Sequence, residues 1–84
     1  MQISFTNHAL RKREFLKELG WGIDLKRVEH TIKSPDLSGK TKYDQDTAVS
    51  FLDKEHILRV VYKTEGGKIT VITFHVSKKG RYGT

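Results

Sequence analysis

Apolar positions along the 84-residue chain change period about half-way. The first part repeats at helical spacing. Ala9, Leu16 and Leu19, with Leu10 and Phe15 beside them, predict a helix over about His8–Leu19, and Thr6 or Asn7 supplies an N-cap oxygen. Gly20 suits the left-handed residue that closes such a helix. Asp24 caps a second helix whose Leu25, Val28 and Ile32 share one side, and Ser34, Pro35 and Asp36 stop it. From there the period shortens to two. Leu37 to Tyr43 reads as a strand containing Gly39, residues 44–46 as a turn, Thr47 to Leu52 as a strand and residues 53–55 as a further turn. The strongest segment is a hairpin, His56 to Thr64 and Lys68 to Ser77, around Glu65, Gly66 and Gly67. Ile3 to Phe5 alternate around Ser4 and fit a short edge strand.

Helices followed by strands predict an α+β domain: two N-terminal helices packed on one face of a three- to five-stranded antiparallel sheet. The length suits one domain over residues 1–84. Which sheet face carries which residues depends on the hairpin turn. A two-residue Gly66–Gly67 loop puts Arg59 on a face with Phe74 and Leu58 on one with His75. A three-residue loop with a glycine bulge moves the register by one. Leu58, Val60 and Tyr62 then join Ile72, Phe74 and Val76 as the core face, and Arg59 shares the other face with His75. This second arrangement separates polar from apolar more cleanly and is preferred, although the turn leaves both open.

Charge sharpens the picture once it is located. The formal charge is +6, but residues 36–55 hold three basic and five acidic groups, while residues 56–84 hold six basic and one acidic. A cationic C-terminal third favours a polyanion or an acidic protein as partner. The absence of cysteine excludes disulfides, thiolate metal sites and cysteine nucleophiles. Four histidines, His8, His30, His56 and His75, lack metal-ligand spacing, so no metal or other cofactor is expected. The N-terminal MQISFTNHAL lacks an apolar signal region, and no run is apolar enough to span a membrane, so a soluble, cytoplasmic protein is expected. Hydrolase, protease and P-loop signatures are missing. What stands out is Arg59 inside an apolar strand, followed by His75 and the basic-aromatic end Lys78, Lys79, Arg81 and Tyr82.

The stretch LRVVYKTEGGKITVITFHVSKKGRY resembles the C-terminal half of RelE/ParE-type toxins, where an arginine-bearing apolar strand, a turn and a second apolar strand end in a basic cluster with tyrosine. The front, FTNHAL followed by GIDLKRVEHTIKSPD, is similar to the DUF4258 family of small proteins grouped near RelE and BrnT. The first likeness covers about a third of the chain and the second nearly all of it. Together they imply a compact helix–helix–sheet domain. The RelE side implies metal-independent RNA cleavage at a basic sheet face, held in check by an acidic antitoxin protein. The ParE side implies action on gyrase without RNA cleavage.

Metal-free RNA cleavage uses the ribose 2′-hydroxyl against the adjacent phosphate, so a protein must hold that phosphate, offset its charge and move protons. Arg59 suits the charge, being always ionised and able to grip phosphate with two bonds. His75 and His8, which stands in the first turn of a helix, are the candidate acid or base groups, since histidine changes charge near neutral pH. Tyr82 is a candidate for stacking on a base or passing a proton. Lys78, Lys79 and Arg81 would position phosphates. Each has a plainer role: Arg59 bridging to Glu65 or to an acid from residues 44–55, His8 fixing the helix start, Tyr82 covering a core edge. His30, His56 and Trp21 read as structural. Two function classes follow: a toxin-type endoribonuclease, and a non-catalytic nucleic-acid- or protein-binding module on the same fold.

Overall fold

The computed structural model describes residues 2–80. The chain runs β1 (Gln2–Phe5), α1 (Asn7–Glu18), α2 (Leu25–Lys33), β2 (Leu37–Lys40), β3 (Asp46–Phe51), β4 (His56–Glu65) and β5 (Lys68–Lys78). Both helices begin where the capping residues predict. Thr6 Oγ1 accepts from the Ala9 N–H at 3.1 Å, and Asp24 Oδ1 accepts from the Arg27 N–H at 2.8 Å, each satisfying an orphan donor worth about 1 kcal/mol. Gly20, at φ +91°, closes α1 as expected.

The five strands form one sheet in the order β1-β5-β4-β3-β2. Strands β2 to β5 make an antiparallel meander, but β1 pairs parallel with β5, so the sheet is mixed rather than antiparallel throughout. Alternation in four residues reveals a strand without revealing its direction. The direction follows from where α1 must go. Beyond Phe5, the Thr6 N–H donates to the Val71 carbonyl at 3.1 Å and its hydroxyl to the Ile72 carbonyl at 2.8 Å. The chain is thereby carried along β5 straight into the helix that packs on it.

Other boundaries move for local reasons. The strand expected over Leu37–Tyr43 ends at Lys40, because Thr41 Oγ1 accepts from the N–H groups of Tyr43 and Gln45 at 3.1 and 3.2 Å and folds that segment into a turn. Asp46, expected in the turn, begins β3, and Leu52, expected in the strand, lies beyond its end and packs on the core.

The hairpin resolves the register question by an unexpected route. Its loop is the two-residue Gly66–Gly67 turn, both at positive φ (54° and 79°), with Glu65 opposite Lys68. Taken alone, that turn would have set Arg59 beside Phe74. Half-way along, however, Val61 faces Thr73 while its neighbour Tyr62 faces Val71, so Ile72 is an extra residue in β5. This bulge restores the preferred pairing: Leu58 opposite Val76, Arg59 opposite His75 and Val60 opposite Phe74. Ile72, expected on the core face, is the bulged residue, and Val71 and Ile69 fill the core in its place.

Both helices cover a single sheet face. Ala9, Leu16, Val28 and Ile32 close over Leu58, Val60, Ile69, Val71 and Phe74, with Trp21 at the margin. Under α2, the buried hydroxyls of Thr31 and Ser50 meet at 2.9 Å, so neither is left unsatisfied. The predicted stripe on α1 is narrower than expected. Leu19 and Phe15 are 61% and 50% exposed, and only Ala9 and Leu16 are buried.

Candidate functional site

Among the described residues, no helix covers the reverse face of the sheet. On β4 it presents Ile57, Arg59, Val61 and Lys63; on β3, Thr47, Val49 and Phe51; on β5, Thr73, His75 and Ser77. Ile57, Val61 and Val49 are buried, so their strands give Arg59 and His75, both half-buried, a low-dielectric floor. Arg59 is flanked by Val49 on one side and His75 on the other. Directly opposed residues stand about 5 Å apart at Cβ, which puts guanidinium and imidazole within reach of one bound anion.

Burial, first, then the Arg59 guanidinium and the charge of Lys12 hold the His75 imidazole below its ordinary pKa of 6.5. At neutral pH the ring is therefore uncharged and able to accept a proton. Of the acids named as structural partners for Arg59, three make ion pairs with lysines. Glu65 pairs with Lys63 at 3.5 Å, and Asp44 and Asp46 both lie within 3.5 Å of Lys40. Beside Arg59, Leu37, Gly39, Thr47 and Val49 line a depression of about 230 Å³ that opens at the β2 edge.

The two described lysines at the end of β5 lie on opposite sides of the sheet. Lys78 stands opposite His56, whose ring lies on Trp21 at 4.9 Å, and so belongs to the helix side. Lys79 turns to the open face, its Nζ 4.5 Å from the centre of the half-exposed Phe51 ring. The structure thus sets Arg59 opposite His75, places Lys79 farther along the same face, and puts Lys78 on the other. Arg81 and Tyr82 lie outside the described residues. His8 is exposed on the outer surface of α1, in a depression shared with Arg11, Lys12 and Phe15.

His56 has the structural role expected of it. Asp53 Oδ1 accepts from the N–H groups of Glu55 and His56 at 2.7 and 2.8 Å and lies 3.0 Å from the His56 ring nitrogen, which closes the β3–β4 turn. The Glu55 N–H, foremost, and His56 hold that carboxyl below its ordinary pKa. Among the described residues, no group of three His, Asp or Glu side chains could hold a metal ion, and no helix is long and apolar enough to cross a membrane.

Reading the sequence for charge and strands missed Phe51 and Phe15. Both count as core-forming by residue type, yet both are exposed beside a lysine ammonium. The signal was present for Phe15, whose helical neighbours at i−4 and i−3 are Arg11 and Lys12 rather than apolar residues.

No family model, curated protein or solved structure matches this chain.

Proposed function

We infer that the open sheet face binds single-stranded RNA and cleaves it without a metal ion, in the manner the RelE-type likeness implies. The observation that carries this reading is the direct opposition of Arg59 and His75 on a face left uncovered by the helices, where burial and the Arg59 charge lower the His75 pKa. In the reaction, the 2′-oxygen attacks the neighbouring phosphorus and its proton passes to the His75 imidazole. The P–O5′ bond breaks, a 2′,3′-cyclic phosphate forms, and the leaving 5′-oxygen takes a proton from water. Arg59 offsets the charge that builds on the non-bridging oxygens, the role for which a rigid two-pronged cation is suited. Lys79 extends the cationic surface along the strand.

The test is cleavage of an end-labelled single-stranded RNA in the presence of a chelator. Arg59→Ala is expected to lower cleavage by about 100-fold or more, since a group aimed at transition-state charge is typically worth a few kcal/mol. Arg59→Lys should recover only part of it. His75→Gln should remove an acid limb that lies below pH 6.5, where the ring becomes protonated and stops acting as a base.

Leu37 and Phe51, 41% and 43% exposed on the same face, favour a second reading: a non-catalytic module that docks an acidic protein, such as an antitoxin, over Arg59. Wild-type protein that leaves RNA intact under all these conditions would overturn the nuclease reading and leave this one.

A further inference from the structure

The outward side of α1 carries chemistry that the sheet face does not use. His8, Arg11, Lys12, Phe15 and Leu19 occupy helix positions i, i+3, i+4, i+7 and i+11, so they form one continuous stripe. At about 100° per residue, the stripe lies roughly a quarter-turn from the buried pair Ala9 and Leu16. It holds no carboxylate. The nearby Glu14 forms its ion pair with Arg13, at 3.5 Å. Lys12 Nζ sits 5.2 Å from the centre of the Phe15 ring, and the ring is still 50% exposed with that ammonium in place. Between His8, Arg11, Lys12 and Phe15 lies a shallow depression of about 300 Å³.

A helix that docks into a protein groove offers apolar residues at i, i+3, i+4 and i+7. Here the first three of those positions are a histidine and two cations, and only the fourth is an aromatic ring. A cation pair beside one exposed ring instead matches a nucleotide, whose base offers a flat π-face and whose phosphate offers negative charge. The stripe is also joined to the open sheet face. The half-buried Lys12 is near enough to His75 for its charge to act on that ring.

We propose that this α1 stripe is a stacking platform for one base of a single-stranded RNA, with Phe15 under the base and Arg11 and Lys12 on the flanking phosphates. The proposal rests on the RNA reading above and extends the bound strand from the Arg59–His75 pair across Lys12 onto α1. The platform makes binding depend on the presence of bases, which a purely cationic face does not.

The test uses the full chain and two labelled strands of equal length that lack a free 2′-hydroxyl and so are not cut: 2′-O-methyl oligouridylate, and an abasic strand with the same backbone. Fluorescence anisotropy reads the affinity. Phe15→Ala is expected to weaken oligouridylate binding about tenfold and leave the abasic strand unchanged, because stacking is lost and charge is kept. Phe15→Trp should restore or tighten oligouridylate binding. Replacing both Arg11 and Lys12 by alanine should weaken both strands and reduce the slope of log affinity against log salt by about 1.4. If Arg59→Ala weakens both strands while Phe15→Ala weakens neither, the platform is overturned and the RNA reading stands. If the wild-type chain binds neither strand, the RNA reading falls and the platform falls with it. If Phe15→Ala leaves both affinities intact but abolishes a concentration-dependent self-association seen by light scattering, the stripe is a protein interface and the proposal is wrong.

Discussion

Beneath the helices, Leu58, Val60, Val71 and Phe74 have no exposed surface, and the polar groups among them are small hydroxyls that bond to one another. On the reverse of the same strands, Ile57 and Val61 are also buried but alternate with Arg59, and the neighbouring strand adds His75. The covered face therefore holds the fold together. The open face uses a few buried aliphatic residues to hold a guanidinium and an imidazole at fixed positions in a partly dry setting. A charge so placed is attracted to phosphate more strongly than one on a fully hydrated surface. Substitutions on the two faces should therefore separate stability from activity.

The largest break in that comparison comes from Phe74→Ala. Deleting a fully buried ring should cost about 3–5 kcal/mol, read as a fall in the urea midpoint. Arg59, on the other face, should behave differently: Arg59→Ala should move stability by no more than about 1 kcal/mol while removing most of the proposed RNA cleavage. Equal losses of stability from the two would show that the open face is as structural as the covered one.

Thr6 ties the two ends of the architecture together and offers an intermediate test. Its hydroxyl accepts from the Ala9 N–H and donates to the bulge carbonyl of Ile72. Thr6→Ala should cost about 1–2 kcal/mol in thermal or urea unfolding, and Thr6→Ser should recover most of that. A larger deficit in RNA cleavage than this loss of stability explains would show that the bulge also sets the Arg59–His75 geometry.

The smallest effect should come from His75 itself. Folding holds its pKa below 6.5, so as pH falls through 6.5 the unfolded chain takes up a proton before the folded chain does. Stability should therefore decline from pH 6.5 down to the folded pKa and then level off, and His75→Gln should remove that component. A proton-NMR titration midpoint at or above 6.5 for His75 would contradict its depressed basicity and count against the proposal that it acts as a base.

Much of the architecture was legible because its causes are local. Thr6, Asp24, Gly20 and the Gly66–Gly67 pair each solve a backbone problem within four residues, so helix starts, a helix end and the hairpin turn could be placed from the chain alone. Strand β1 was found but not its parallel direction, which depends on a partner more than sixty residues away. The core assignments of Phe15 and Leu19 failed for a related reason. Residue type shows that burial would be favourable, but whether an opposing surface exists is settled by where the sheet ends. Of the candidate site, Arg59 and His75 stand opposite each other and Lys79 lies on the same face, whereas Lys78 is turned to the other side by strand alternation and His8 stands on α1.

By itself, the amino-acid sequence determined the element order, the caps, the glycine turn and the concentration of positive charge in residues 56–84. Each follows from torsional preference, nearby hydrogen bonds or simple composition. Only the tertiary structure decided that Arg59 faces His75. That pairing depends on one additional residue, Ile72, accommodated where Thr6 meets β5. A strand has a period of two, so a single-residue shift reverses every side chain beyond it, and no local rule acting at the turn can report where such a shift occurs.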